Sequence, residues 1–240
     1  MKGTIQKAVF TAGLGLMLIG SSSAALADTG TWSHAVLAVA AGDQHTLAVL
    51  TDRTLMGWGS NYAGQLGLGA GAQQSALLAA NVFDPSGRFG SVKQVSARGD
   101  HSVALKEDGT VWEWGGEDHN PPNWEVVYDY APRQIPNLDG VVAVAAGKNH
   151  ALALKADGSV YAWGANAQGQ VGSAAASFVT DPVEVADLSD TSGFLSGVKE
   201  VAAGNDFSMA LKADGTVWTW GINSTGQLGN GAAFDSANYT

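Results

Sequence analysis

Val201-Ala202-Ala203-Gly204-Asn205-Asp206-Phe207 opens a stretch that continues through Ser208-Met209-Ala210-Leu211, reaches Lys212-Ala213-Asp214-Gly215-Thr216, and closes on Val217-Trp218-Thr219-Trp220-Gly221. Its side chains alternate with a period of two. Ser208, Ala210 and Lys212 interleave with Phe207, Met209 and Leu211, and Trp218 and Trp220 share a face opposite Val217 and Thr219. That pattern predicts a strand, a turn and a strand. Asp-Gly supplies the turn because it accepts the positive φ that a tight hairpin needs.

The same stretch occurs four times. Its opening valines are Val39, Val95, Val144 and Val201, so the copies are spaced by 56, 49 and 57 residues. In every copy the valine lies 19 residues before a tryptophan followed by glycine: Trp58, Trp114, Trp163 and Trp220. A core of constant length with variable linkers marks a repeat architecture. Lys106-Glu107-Asp108-Gly109-Thr110 and Lys155-Ala156-Asp157-Gly158-Ser159 repeat the turn, whereas copy one has Thr51-Asp52-Arg53-Thr54 and no glycine, which predicts a wider or more strained turn there.

A short apolar stretch such as Val92 to Ala97 precedes each hairpin, and a proline-led one, Pro132 to Ile135 or Pro182 to Val185, follows it as an edge strand. Four short antiparallel strands per copy make a β-propeller blade. The expected class is therefore all-β, with four blades over approximately residues 35–85, 86–137, 138–188 and 195–240. The paired aromatics (Trp112 with Trp114, Tyr161 with Trp163, Trp218 with Trp220) are expected between adjacent blades.

Composition narrows the function. Lys2 and Lys7, an apolar run from Ala8 to Ile19 and the small-residue end Ala25-Leu26-Ala27 form a signal peptide over residues 1–27, with cleavage before Asp28. Its apolar run is too short to span a bilayer. Removing both lysines leaves 10 basic against 22 acidic residues, a net charge of −12. That balance opposes nucleic-acid binding, and anionic membranes are unsuitable for the same reason. It suits a basic or mixed-charge protein partner, in the periplasm or outside the cell. The chain has no cysteine, so burial and backbone pairing must hold the fold.

After the Trp-Gly pair, copies one, three and four read Ser60-Asn61-Tyr62-Ala63-Gly64-Gln65-Leu66-Gly67, Ala165-Asn166-Ala167-Gln168-Gly169-Gln170-Val171-Gly172 and Ile222-Asn223-Ser224-Thr225-Gly226-Gln227-Leu228-Gly229. Joined to the two motifs before it, this segment resembles the regulator of chromosome condensation repeat family over nearly all of residues 35–231. The resemblance implies a propeller, typically seven-bladed, that holds a protein partner with loops on one face. The founding member acts on a nuclear small GTPase and chromatin, an activity not carried over to an exported acidic chain. A secreted β-lactamase inhibitor of similar architecture makes an enzyme inhibitor one alternative. With four copies, the chain is expected to be a fragment, a ring completed by a partner, a closed ring of four, or an open array that self-associates through its edges.

His45, His101 and His150 share one repeat position, at which Phe207 stands in copy four. An aromatic in the same place argues for structural histidines over a metal ring, so no metal or other cofactor is expected. Arg98-Gly99-Asp100 spells an adhesion tripeptide inside the repeat, where Arg98 takes the place of Gly42, Gly147 and Gly204 and would be strained if that position needs positive φ. Gly67-Leu68-Gly69-Ala70-Gly71 lacks the strand-helix context of a nucleotide loop. The sequon at Asn223 falls in a repeat turn; another starts at Asn238.

Copy two alone departs from the pattern. In place of the shared turn it carries Gly116-Glu117-Asp118-His119-Asn120-Pro121-Pro122-Asn123-Trp124-Glu125-Val126-Val127-Tyr128-Asp129-Tyr130. Aromatics among carboxylates have the makeup of an interface, and the prolines limit its ordering cost. Glu117, Asp118, His119, Trp124, Tyr128 and Tyr130 are the expected partner contacts, although Trp124 and the tyrosines could instead cap the blade. The expected function is a protein-binding or scaffold module and not an enzyme. Rival readings are a polysaccharide-active enzyme using the loop's acids and His119, and an inert fragment of a longer repeat protein.

Overall fold

The computed structural model describes residues 35–116, 129–174, 177–187 and 193–231, and the backbone alone at 6–7, 18–19, 118–120 and 125–127. Apart from a backbone pairing of Gln6–Lys7 with Leu18–Ile19, the expected leader lies outside the described residues. All regular structure among the described residues is β.

Each copy folds into an antiparallel sheet whose strands lie side by side in chain order. Blade one comprises Val36–Ala41, His45–Leu50, Leu55–Ser60 and Ser75–Asn81. Blade two comprises Val92–Arg98, His101–Lys106, Val111–Gly115 and Arg133–Gln134. Blade three comprises Val141–Ala146, His150–Lys155, Val160–Ala165 and Phe178–Glu184. Blade four has three described strands, Val198–Ala203, Phe207–Lys212 and Val217–Gly221. The proline-led edge strands form as Arg133–Gln134 and as Phe178–Glu184, whose Pro182 falls where the pairing with Val160–Ala165 skips register. Blade one's edge strand, Ser75–Asn81, contains no proline.

Repeat registers coincide. The residue opening each second strand faces the glycine after the tryptophan: His45 with Gly59, His101 with Gly115, His150 with Gly164, and Phe207 with Gly221. Only glycine fits there. Gly164 has φ +98, and a Cβ would lie 2.5 Å from Asn149 O and 2.7 Å from His150 Cα.

The first strands stack in succession, one against two, two against three, three against four, so each boundary buries the trailing face of one blade against the leading face of the next. Between blades one and two the trailing side chains Leu47, Val49 and Leu55 meet Val95, Ala104 and Trp114. Between three and four, Leu152, Leu154 and Val160 meet Val198, Ala210 and Trp220. Trp114, Trp163 and Trp220 are buried at these boundaries, whereas Trp58, with no blade before it among the described residues, is half-buried. The first aromatic of each pair is half-buried; Lys106 sits 4.3 Å over both Phe89 and Trp112, and Lys155 4.3 Å over Tyr161.

Copy one's hairpin turn is strained rather than wider. Arg53 N donates to Leu50 O as Gly109 N does to Lys106 O, and Arg53 holds φ 64 where the other copies have Gly109, Gly158 and Gly215. An L-residue in that region costs about 1–2 kcal/mol, partly offset by glycine's greater freedom when unfolded. Replacing Arg53→Gly is therefore expected to raise the unfolding free energy by roughly 0.5–1 kcal/mol in urea titrations; an unchanged or lower value would mean the turn relaxes without strain.

Candidate functional site

In blades two and four a tryptophan and a serine are positioned to reach one backbone carbonyl of the blade before. At the first boundary, Trp114 Nε1 and Ser102 Oγ both donate to Gln65 O at 2.9 Å. At the third, Trp220 Nε1 and Ser208 Oγ donate to Gln170 O at 3.0 and 2.7 Å. The glutamine side chains hold that carbonyl in place: Gln65 Oε1 accepts from Ala63 N at 2.9 Å while Gln65 Nε2 donates to Asp100 Oδ1 at 2.6 Å, and Gln170 Oε1 accepts from Gln168 N at 2.9 Å. Asn61 and Asn166 pin the same turns by accepting from Leu66 N and Val171 N, each at 3.0 Å.

The histidines complete two of these clamps. His45 Nε2 lies 2.8 Å from Ser102 Oγ, and His150 Nε2 2.9 Å from Ser208 Oγ. Each serine's proton is committed to a glutamine carbonyl, so the histidine must donate from Nε2. Nδ1 is then a buried lone pair without a partner in either ring. Burial pushes the His45 imidazole down to about 4 and the His150 imidazole down to about 3, with the positive charge of His101 acting in the same direction. The rings do not converge, and among the described residues no three His, Cys, Asp or Glu side chains form a group able to hold a metal ion.

Arg98 changes this arrangement in copy two, for a reason different from the expected one. Gly42, Gly147 and Gly204 do not have positive φ, and Arg98 is not strained in that way. Those glycines are needed because the ring of His45, His150 or Phe207 lies directly over them, where a Cβ would overlap it. With Arg98 in that place the His101 ring turns elsewhere. Its Nδ1 faces Gly147 O at 3.3 Å and its Nε2 faces Glu113 Oε2 at 3.4 Å. Both partners only accept, an arrangement suited to imidazolium.

Glu113 is the pivot of the second boundary. Blade three has Ala151 where blades two and four have serine, and blade two has no glutamine turn. Trp163 Nε1 instead donates to Glu113 Oε2 at 2.6 Å. Arg133 bridges from Glu113 Oε1 at 2.5 Å to Asp129 Oδ2 at 2.9 Å. Burial alone would raise the Glu113 pKa, but the His101 hydrogen bond, the charges of His101 and Arg133, and the indole N–H together hold the carboxyl below its ordinary range. Beside it a shallow cleft is lined by His101, Glu113, Gly116, Asn149, His150 and Trp163.

That cleft lies at the root of the irregular loop. The loop leaves at Gly116, and Asp129 returns it, with Gly115 N donating to Asp129 O at 2.8 Å. Tyr130 then lies against blade one: Gly69 N donates to Tyr130 O at 2.7 Å, and Gly64, whose Cβ would sit 2.7 Å from Tyr130 Cα, leaves room for it. Tyr130 is half-buried, and its hydroxyl is 3.5 Å from the carbonyl of Tyr62, a residue 65% exposed. Between these roots Asp118–Asn120 pairs with Glu125–Val127 as a two-stranded hairpin. Glu117, Trp124 and Tyr128 lie outside the described residues, as do the side chains of Asp118 and His119.

In the adhesion-like tripeptide, Asp100 binds Gln65, and Arg98 Nε donates to Asn205 Oδ1 at 2.9 Å. Asn223 is buried and accepts from Leu228 N at 3.1 Å, so its sequon is a structural turn; Asn238 lies outside the described residues.

The regulator of chromosome condensation (RCC1) repeat model matches residues 36–65, 141–170 and 198–227, which fall on copies one, three and four, and a second model of the same repeat matches 157–211. The chain belongs to the RCC1 repeat family. Among curated relatives it is 29% identical over 203 residues to the ultraviolet-B receptor UVR8 of Arabidopsis thaliana, covering 83% of this chain and 44% of the receptor. It is 31% identical over 208 residues to the mitochondrial RCC1 domain-containing protein RUG3 of the same plant, covering 83% and 45%. Yeast RCC1 (Prp20), solved bound to Kap60, superposes with a TM-score of 0.67 at 27% identity, over 85% of this chain and 48% of that one. The chain thus spans less than half the length of these relatives.

Copy two's loop was legible as the break in the RCC1 pattern, but Glu113, Arg133, Asp129 and Tyr62 were not singled out. The available signal was Glu113 itself, a lone acid where the other copies have Gly57, Ala162 and Thr219. The buried neutral histidines make acid sensitivity an expected property. Their folded-state pKa values lie below the unfolded value, so stability is complete above about pH 6.5 and declines toward pH 4 by about 1.4 kcal/mol per unit per histidine. His150→Phe, the substitution copy four already carries, should flatten that decline in urea unfolding at pH 7 and pH 4.5; an unaltered slope would show that His150 does not fold in its neutral form.

Proposed function

We propose that this RCC1-repeat chain is an exported protein-binding module whose contact surface is the blade-two loop together with Tyr62 and Tyr130. One observation carries the reading. The blade that abandons the shared glutamine turn has rebuilt its boundary around Glu113, and the resulting chain of ion pairs, Glu113 to Arg133 to Asp129, holds the end of the loop that replaces the turn. Burying the Glu113 carboxylate is a costly way to close a boundary that a carbonyl closes elsewhere, and the loop it holds is rich in aromatics and acids.

Relatives support the class of partner. Yeast RCC1 has been solved with Kap60, and Prp20p of Saccharomyces cerevisiae, 25% identical with a TM-score of 0.65, has been studied for binding to Gsp1p and histones. For this chain the leader motif and the net charge, −10 as given and −12 without Lys2 and Lys7, favour a basic or mixed-charge protein of the periplasm or cell exterior.

The test is capture from the source organism's exported fraction by the immobilised chain, beside Trp124→Ala and Tyr62→Ala variants of unchanged melting temperature. A partner retained by wild type should bind each variant at least about tenfold more weakly, the effect of losing an aromatic hot spot. Equal retention by both variants would remove the loop from the binding surface.

A further inference from the structure

We infer that Arg98 and Lys148, gathered at one end of the innermost strands of blades two to four, form a binding site for a carboxylate carried by an acidic peptide segment. The inference deepens the reading of this end of the blades as a protein-binding face, but it uses none of the loop's residues.

Most basic side chains among the described residues already have partners. Arg53, Arg88, Lys106 and Arg133 form ion pairs, and Lys155 and Lys212 lie over aromatic rings. Lys93, Arg98, Lys148 and Lys199 have neither, in a chain with 22 acidic residues. All four belong to the innermost strands or to the turn that leaves one. Lys93 and Lys199 lie near the start of their strands, and Arg98 and Lys148 at the other end.

One residue of blade four draws the second pair together. Asn205 O accepts from Lys148 N at 3.2 Å, and Asn205 Oδ1 accepts from Arg98 Nε at 2.9 Å. Copy two is altered in a way that permits this. Its glycine stands one place later than in the other copies, so Arg98 falls where they have Gly42, Gly147 and Gly204, and Gly99 falls where they have Asp43, Lys148 and Asn205. Gly99 has φ +57, and a Cβ on it would lie 3.0 Å from Lys148 Cγ. The missing side chain leaves room for the lysine stem to cross the turn beside Arg98.

Nearby acids do not neutralise the pair. Asp100 Oδ1 accepts from Gln65 Nε2 at 2.6 Å, and Asp206 Oδ1 lies 3.5 Å from Gln170 Nε2. Asp43, exposed on blade one, pairs with neither base among the described residues. Arg98 is held through Nε alone, which leaves both Nη groups as the planar fork that takes a carboxylate in two parallel bonds. Lys148, exposed on the adjoining turn, adds a second charge. Two charges suit a carboxylate, whereas a polyanion such as nucleic acid would meet the repulsion of a chain of net charge −10. Because His101 pairs with both Arg98 and Gly115, the site shares its end of blade two with the root of the irregular loop.

Fluorescein-labelled tetraglutamate tests the site by anisotropy with the full chain at low ionic strength, beside labelled tetraglutamine as its neutral counterpart. Tetraglutamate should bind at least about tenfold more tightly than tetraglutamine. In variants of unchanged melting temperature, Arg98→Gly and Lys148→Asn, which restore residues found in other copies, should each weaken it at least about tenfold. Lys199→Asn removes the same charge at the far end of an innermost strand and should leave binding unchanged. Asn205→Asp, which sets a carboxylate against Arg98 from within the chain, should remove it. Equal binding of the two peptides, Arg98 and Lys148 variants that bind as wild type does, or an equal loss in Lys199→Asn would overturn the inference. Trp124→Ala and Tyr62→Ala, which test the loop, should leave tetraglutamate binding intact, so the two readings fail separately; a loss confined to those variants would place the peptide on the loop and overturn this site.

Discussion

A small antiparallel sheet whose two faces are both apolar cannot stand alone in water, and each blade here is stable only because its neighbour covers it. Burial supplies the drive but little direction, since valine against leucine tolerates sliding. Direction comes from one buried hydrogen bond: the indole N–H of the tryptophan that precedes glycine in blades two, three and four must find an acceptor across the boundary. At the first and third boundaries that acceptor is the carbonyl of Gln65 or Gln170, in a turn stiffened by its own Asn and Gln side chains. The spacing of 19 residues from valine to tryptophan is constant because it sets where that N–H emerges.

The second boundary shows what happens when the turn is given up for another purpose. Trp163 keeps its requirement, and a carboxylate on the preceding blade's third strand meets it. A buried carboxylate in turn needs partners, which His101 and Arg133 provide, and Arg133 reaches on to Asp129 at the end of the loop. One substitution in a strand and one at Arg98 are therefore coupled to a surface loop through a continuous set of polar contacts.

The fold was legible because its signals are local: period-two alternation, Asp-Gly turns and the Trp-Gly pair each reflect backbone demands inside one blade. Copy one's turn without glycine was legible as wider or more strained for the same reason, and the strain falls on Arg53. What could not be read were interactions between blades. Gly42, Gly147 and Gly204 looked like φ-determined glycines, but they are seats for the ring three residues on. The shared repeat position of the histidines was legible, yet the serine that His45 or His150 engages lies 57 or 58 residues away in the next blade. Glu113 sits between two tryptophans in a strand and looks like an ordinary outward-facing acid until the neighbouring blade is in place. The loop of copy two was visible as a gap in the repeat, but its anchoring was not, because Arg133 and Asp129 gain meaning only through Glu113.

Hydrogen exchange of the indole N–H protons by NMR tests the central claim most directly. The account predicts slow exchange for Trp114, Trp163 and Trp220, each bonded across a blade boundary, and a Trp163 resonance that alone shifts strongly in Glu113→Gln. Fast exchange at those three indoles, or a Trp163 signal indifferent to Glu113, would contradict face-to-face blades joined through a tryptophan N–H.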